Sequence, residues 1–299
     1  KSMVDSAEIG VRLYVMVADS VDSMRLYLDD YRMEGYGDNH LTVRSIKGVM
    51  DGALGSHGAW LLEPYDDMPS SSGLNTNPLA EIAEVGQLAA EHDFQYCIHA
   101  IGDRGNREVL DIYQNIFNAF PQKDDLRWRI EHAQHLNPRD INRFSQMGVI
   151  ASMQGVHCTS DGPWVPKRIG DSRAEEGAYV WRKLLKTNAM IINGTDAPVE
   201  DVDPLASFFA SVTRKLSDGT PFYPGQCMTR YEALQSYTSN SAYAAFEENI
   251  KGSLTVGKLA DITVLSEDIL TVSEDKIPGT EIMYTIVGGN ILFRHESMQ

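Results

Sequence analysis

The sequence predicts an α/β protein built on a parallel sheet, followed by a small β-rich region. Short apolar runs alternate with helical patterns along most of the 299 residues. Strands that pair in parallel need a crossover connection, so this order indicates a parallel sheet with helices between its strands. About six such strands are present, fewer than the eight of a closed barrel.

The individual elements follow from hydrophobic spacing and from Gly and Pro positions. Predicted strands cover residues 10–18, 41–49, 94–99, 127–132, 149–153 and 190–193, and predicted helices cover 20–31, 78–92, 106–120, 138–147, 176–187 and 229–244. Residues 252–265 and 282–293 have the alternation and Gly turns of β-hairpins. We therefore place an α/β body in residues 1–250 and strands of a second domain in residues 251–299.

Composition excludes several classes of protein. The formal net charge is −16, with 26 Lys and Arg against 42 Asp and Glu. A nucleic-acid-binding protein needs a basic face, so we expect no nucleic-acid partner. No apolar run approaches the roughly 18 residues of a membrane helix, so we expect no membrane span and a cytoplasmic protein. Three cysteines without CxxC spacing predict neither a disulfide framework nor a cysteine metal site.

Reactive side chains stand at the carboxyl ends of four predicted strands. Lys47, His99 and His132 end their strands, and Asp196 follows the last one. Carboxyl ends of parallel strands meet at one edge of the sheet, where such folds carry their chemistry. Taken singly, each residue also suits a structural role, such as helix capping by Asp. The order Lys, His, His, Asp on successive strands favours a site.

The chemistry of this set is coherent. Neutral imidazoles suit Zn²⁺, and a nearby carboxylate can ligate the metal or accept a proton from metal-bound water. A bound metal lowers the pKa of its water to about 7, which provides hydroxide at neutral pH. Lys47 becomes a good ligand only if its amine is carboxylated, because a carbamate has two anionic oxygens that can bridge two cations.

Six motifs resemble the amidohydrolase superfamily, and within it the amidohydrolase family 3 branch that includes N-substituted formamide deformylases and proteins called exoenzyme regulators. They occur in order along nearly the whole chain: KGVMDGALGS from Lys47, CIHAIGDRGNREVLD from Cys97, RIEHAQHL from Arg129, ASMQGVHCTSD from Ala151, NGTDAPVE from Asn193 and GSLTVGKLADITVL from Gly252.

The resemblance implies a (β/α)8 TIM barrel with a composite β-sandwich. Family members carry a His-x-His pair on the first barrel strand, whereas the early histidines here, His40 and His57, are not spaced that way. The N-terminal sandwich strands have no counterpart either. We therefore expect a partial barrel that begins at its third strand, in residues 10–18, and a sequence that is the C-terminal part of a longer protein.

The resemblance also implies a metal centre. Lys47 would be a carboxylated bridge, and His99 and His132 would be ligands on the next two strands. Asp196 would ligate metal and act as general base and then general acid. We expect Zn²⁺ as cofactor, with one or two divalent ions and other metals left open.

His157 and Asp161 follow the next strand, and the resemblance makes them candidates for binding substrate; a structural role is the alternative for each. The implied activity is metal-dependent hydrolysis of a carbon–nitrogen bond in a small molecule, namely an amide, formamide or cyclic amide. Two alternatives stay open: ester or phosphoester hydrolysis on the same barrel, and a non-catalytic regulatory protein if the chain is naturally complete. A homodimer is also left open.

Overall fold

The computed structural model describes residues 1–298. They form two compact units, each assembled from separate segments of the chain. The larger unit comprises Leu13–Met153 and Ser160–Ile191, and the smaller comprises Lys1–Arg12, Gln154–Thr159 and the residues from Ile192 onward. The predicted boundary between residues 250 and 251, which separates barrel from sandwich strands, stays a prediction.

The described residues contain ten strands, thirteen α-helices and three short 3-10 helices, the last at Pro224–Gln226, Glu274–Gly279 and Glu296–Met298. The strands are β1 (Leu13–Val17), β2 (Met33–Gly35), β3 (Leu41–Val49), β4 (Gln95–Ala100), β5 (Arg129–His132), β6 (Ile150–Gln154), β7 (Ile191–Gly194), β8 (Ile262–Leu265), β9 (Ile282–Val287) and β10 (Asn290–Arg294). The helices are α1 (Ser2–Asp5), α2 (Val21–Tyr31), α3 (Tyr36–Asn39), α4 (Leu79–Glu91), α5 (Asp103–Ala119), α6 (Ile141–Met147), α7 (Gly155–Asp161), α8 (Val165–Ile169), α9 (Asp171–Gly177), α10 (Trp181–Lys186), α11 (Pro204–Thr213), α12 (Arg230–Tyr237) and α13 (Ser239–Ala244).

A parallel sheet organises the larger unit, which confirms the predicted α/β architecture. β1, β3, β4, β5 and β6 pair in that order, each parallel to the next. The short strand β2 pairs antiparallel with β3. Helices α4 and α5 provide the crossovers that join β3 to β4 and β4 to β5. Parallel pairing brings the carboxyl ends of β3, β4 and β5 to the same edge.

Aromatic packing fixes the helical layer to the sheet. Trp128, at the entry to β5, is fully buried, and its ring contacts the Tyr113 ring of α5 edge-on at 4.8 Å. The Tyr113 hydroxyl donates to the backbone carbonyls of Tyr96 in β4 and Arg129 in β5. A buried hydroxyl is stable only when it is hydrogen-bonded, so this contact fixes α5 across two strands.

The smaller unit contains an antiparallel sheet in the order β10–β9–β8. Gly288 and Gly289 have φ of +57° and +82° and form the predicted hairpin turn between β9 and β10. Residues 252–265 were predicted as β-hairpin material with Gly turns, and only Ile262–Leu265 of them form a strand, β8. Gly252 and Gly257 adopt φ of +86° and +97° in the stretch before it, which does not form a strand. An ion pair of 2.6 Å joins Arg12 to Asp261 beside this sheet.

The helical prediction for residues 229–244 needs a correction of detail. Two helices, α12 and α13, occupy this stretch, because Thr238 between them has φ −123° and ψ −92°. Thr229 begins α12 with a capping box in which its side chain and that of Glu232 each accept from the other's backbone N–H. Helix α11, capped by Asp203, was not predicted from the sequence.

One carboxylate ties together the loops that follow β3 and β4. Asp51 is 1% exposed. Its Oδ1 accepts from the N–H of Ile101 at 2.9 Å, and its Oδ2 accepts from Trp60 and Gly102 at 2.8 Å each. A Cβ at Gly102 would lie 2.1 Å from the Trp60 carbonyl oxygen, so only glycine allows this approach. Burial raises the pKa of Asp51 to about 7, although the three N–H donors act in the opposite direction.

Among the described residues, no helix combines the length and the apolar character that crossing a bilayer requires.

The three backbone hydrogen bonds that Asp51 accepts, from Trp60, Ile101 and Gly102, predict a large loss of stability in Asp51→Asn. Both carboxylate oxygens accept from backbone N–H groups, so the amide NH₂ must face at least one buried donor. We expect the free energy of unfolding to fall by about 2–4 kcal/mol, measured by urea denaturation. Asp124→Asn, at an exposed position of the same unit, serves as the control and is expected to change it by less than about 0.5 kcal/mol. Equal stability of the two variants would contradict the tether.

Candidate active site

Register places three polar side chains of the larger unit on one face of the sheet. Val49 of β3 pairs with His99 of β4, and His99 pairs with Glu131 of β5. Paired residues of parallel strands point to the same face, and residues two apart on one strand do so as well. Lys47, two residues before Val49, therefore shares the face of His99 and Glu131.

His99 is in a form suited to metal binding. Its Nε2 atom is buried, lies 3.7 Å from Asp51 Oδ1 and has no hydrogen-bond partner among residues 1–298. Burial, followed by electrostatic interaction with His132 and Lys47, lowers the pKa of His99 to about 3. At neutral pH the imidazole is therefore uncharged, which is the state that coordinates a metal.

His132 lies beside His99. The two ring centroids are 4.5 Å apart, with the rings nearly perpendicular. His132 ends β5 with φ +73°, and Ala133 follows with φ +43°. Such left-handed backbone costs of order 1–3 kcal/mol at a non-glycine residue and persists where its surroundings hold it. The turn thus sets the direction of the His132 side chain at the strand end.

Glu131 and Arg129 form a buried ion pair on β5, the strand that ends at His132. Arg129 Nε donates to Glu131 Oε1 at 2.9 Å, and each residue is 8% exposed. Burial alone would raise the pKa of Glu131, but the positive charge of Arg129 outweighs it and holds the pKa below its usual range. The ionised form of Glu131, which lies near Lys47 and His132, is therefore favoured.

The smaller unit holds two further predicted residues. His157 of α7 is 8% exposed, and its Nε2 lies 3.8 Å from Oδ2 of Asp196, which follows β7. Asp196 has φ +59°, a left-handed conformation that Asp tolerates better than most residues. A carboxylate at this distance from an imidazole can hold it in position or exchange a proton with it through water.

Asn193 organises the backbone around this pair. Its Oδ1 accepts from the N–H of Gly155 at 2.9 Å, and its Nδ2 donates to Ser211 Oγ at 3.0 Å. A Cβ at Gly155 would lie 2.2 Å from Ser211 Oγ and 2.3 Å from the Ser207 carbonyl oxygen, so this position requires glycine. The start of α7, and with it His157, is therefore fixed by close backbone packing.

Asp161 has a different environment in the larger unit. Its Oδ2 accepts from Gln134 Nε2 at 2.6 Å and from the Tyr179 hydroxyl. These bonds hold the segment after β5 to the end of α7 within that unit. They favour the structural alternative for Asp161, and its contact with substrate stays a prediction.

Three polar residues of this region were not assigned a role from the sequence: Asp51, Arg129 and Glu131. Arg129 and Glu131 carried a usable signal, since charges two apart on a strand share a face with each other. Asp51 carried none, because its three partners lie in loops that only the folded chain brings near it.

Curated relatives cover most of this chain but only part of their own length. "Protein LONG AFTER FAR-RED 3" of Arabidopsis thaliana is 36% identical over 254 residues, which is 85% of this chain and 43% of that protein. YtcJ of Bacillus subtilis, named as an amidohydrolase, is 32% identical over 265 residues, or 88% and 49%. N-substituted formamide deformylase of Arthrobacter pascens is 23% identical over 225 residues, or 75% and 41%. The chain spans about half the length of these relatives or slightly less.

A solved structure and a family profile agree with these relatives. The crystal structure of an uncharacterised metal-dependent hydrolase from Pyrococcus horikoshii matches with a TM-score of 0.80 and 27% identity, covering 92% of this chain and 54% of that one. The sequence profile of the amidohydrolase family matches residues 7–293. The chain therefore belongs to the amidohydrolase family, in the branch designated family 3.

Proposed function

We propose that this chain carries part of the catalytic machinery of a divalent-metal-dependent hydrolase that cleaves a carbon–nitrogen bond in an amide, formamide or cyclic amide. One observation carries the proposal. In a chain of the amidohydrolase family, the ring centroids of His99 and His132, near the ends of two adjacent strands, lie 4.5 Å apart. The name of the Arthrobacter relative, a formamide deformylase, supports this bond type.

His99, His132 and Lys47 would hold the metal in the larger unit. The buried Nε2 of His99, without a partner among the described residues, fits a ligand role. Nitrogen ligands of this kind favour zinc. When bound, the cation supplies Lewis-acid activation of water and of the scissile carbonyl. A carbamate on Lys47 remains part of the proposal on the strength of its motif position, as does a choice between one ion and two.

The residues of the smaller unit would handle the proton. Asp196 Oδ2 would accept a proton from the attacking water and deliver it to the leaving nitrogen. His157, 3.8 Å from that oxygen, would keep the carboxylate oriented or polarise the substrate carbonyl. The left-handed backbone conformation of Asp196 sets the direction in which its side chain leaves the main chain after β7.

The proposed architecture is a partial (β/α)8 barrel with the C-terminal strands of a β-sandwich. The five-strand parallel series from β1 to β6 supports the barrel, and the antiparallel β8, β9 and β10 support the sandwich. The Pyrococcus structure, of which the chain covers 54%, supports a larger parent fold. The whole protein's activity belongs to this proposal.

Metal content tests the ligands directly. In the protein expressed from its complete gene, His99→Ala and His132→Ala are each expected to lower the bound zinc at least about tenfold. Each substitution removes an imidazole ligand. Plasma emission spectrometry of desalted protein measures this. His92→Ala, which removes a half-exposed histidine of the same unit that contacts Asp29, is the control and should retain its metal. Full metal content in both ligand variants would refute the assignment.

Asp196→Asn tests the proton role. An amide cannot accept the proton, so kcat is expected to fall by about 10²–10⁴-fold while the fold and KM change little. Circular dichroism and steady-state kinetics provide the two measurements. Asp201→Asn, at an exposed position of the same unit, is the matched control. Turnover within a few-fold of the parent in Asp196→Asn would remove it as the proton acceptor.

A substrate panel tests the bond type. We expect turnover of N-formyl, N-acyl or cyclic amide compounds, its loss on treatment with a zinc chelator, and its return when Zn²⁺ is added. Hydrolysis confined to esters or phosphoesters would overturn the carbon–nitrogen assignment while leaving the metal site standing. Metal-replete protein without turnover of any of these classes would support a non-catalytic role.

A further inference from the structure

The larger unit contains a cavity of about 150 Å³ to which no role has been assigned. Leu61, Leu136 and Ile169, each no more than 4% exposed, provide its apolar wall. Asp103, His135 and Arg173 provide polar groups. Of the described residues that line it, none is a predicted metal ligand or proton carrier. An engineered cavity of this volume holds benzene, so a ligand of roughly six non-hydrogen atoms would fit.

His135 is the unusual member of this lining. It is 2% exposed, and neither ring nitrogen has a hydrogen-bond partner among residues 1–298. Its backbone is fixed, since its N–H donates to the Ile101 carbonyl at 2.9 Å, and its ring contacts Tyr179 edge-on at 5.6 Å. Buried polar groups are almost always hydrogen-bonded. A buried imidazole that lines a cavity without such bonds indicates a ligand that bonds at least one of its ring nitrogens.

The charged groups around the cavity indicate the charge of that ligand. The Arg173 guanidinium is already engaged by the carbonyls of Ile169, Glu63 and Pro64 and by the Asp66 carboxylate. The exposed Glu63 and Glu176 leave an excess of negative charge at the cavity. Asp103 adds an acceptor, although burial raises its pKa and its Oδ1 already accepts from the N–H of Leu62 at 2.9 Å. Burial lowers the pKa of His135 to about 3, so the ring is uncharged at neutral pH and offers one lone pair and one N–H. A positively charged donor suits these groups.

A metal ion is a poorer match than an organic cation. Among the described residues, the His, Asp and Glu side chains of this cavity do not form a group of three with ligand atoms within 4.8 Å of one another. The apolar wall would also be left uncovered by a bare ion. An ammonium group on a short alkyl chain can donate to the acceptor nitrogen of His135, and its chain can cover the apolar wall.

We propose that this cavity binds a small primary alkylammonium ion, whose ammonium group donates to the unprotonated ring nitrogen of His135 and faces Asp103 and Glu176, while its alkyl chain packs on Leu61, Leu136 and Ile169. This site is independent of the proposed hydrolysis. It requires neither metal nor turnover.

Isothermal titration calorimetry with n-butylammonium chloride, on the protein expressed from its complete gene, tests the site. We expect saturable binding of one ion per chain, with n-butanol, the neutral isostere, at least about tenfold weaker because it lacks the charge-assisted hydrogen bonds. His135→Phe keeps a ring of similar size and removes both nitrogens, and it should weaken binding at least about tenfold.

A surface variant keeps the test decisive if His135→Phe fails to fold. Glu176→Gln removes an exposed charge at the cavity and should weaken n-butylammonium binding about threefold or more, whereas Glu175→Gln, its neighbour on α9 that does not line the cavity, should leave it unchanged. The proposal is overturned if butylammonium does not saturate, if butanol binds equally well, or if Glu176→Gln and Glu175→Gln behave alike.

Discussion

The register of β3, β4 and β5 is the constraint on which the candidate site of the larger unit depends. Val49, His99 and Glu131 lie side by side across three parallel strands. A shift of one residue in any pair would turn that strand's polar side chains to the opposite face, because side chains alternate along a strand. The buried apolar residues between them, such as Ile46, Ile98 and Ile130, make such a shift costly. Hydrophobic burial thus fixes the positions of the polar groups.

On that face, the charge of the buried Glu131 carboxylate is balanced by the Arg129 guanidinium. An isolated buried carboxylate is strongly unfavourable, but Glu131 is paired with Arg129 at 2.9 Å and lies near Lys47. His99, in contrast, is kept uncharged, because burial and neighbouring charge lower its pKa. Within one unit, therefore, the carboxylate is kept ionised and the imidazole is kept neutral. That division leaves the imidazole of His99 in the state that can coordinate a metal.

Loop tethering complements the register. Asp51 holds the loops after β3 and β4 by three backbone hydrogen bonds, and one of its oxygens lies 3.7 Å from His99 Nε2. In the smaller unit, Asn193 fixes the start of α7 in a comparable way. Both are short polar side chains that accept from backbone N–H groups of segments far away in sequence. Such contacts position strand-end residues more firmly than loop packing alone would.

The sequence by itself determined the alternation of strands and helices, the placement of His99 and His132 near the ends of adjacent strands, and the family. These depend on local periodicity and on ordered motifs, which are properties of the chain before it folds. Only the tertiary structure decided that Asp51 faces His99, that Thr238 divides a predicted helix, that residues 252–261 are not a strand, and that His135 lines a cavity with two unbonded ring nitrogens. These features depend on positive φ angles and on contacts between segments distant in sequence, and both arise only when sheet register and loop closure bring those segments together.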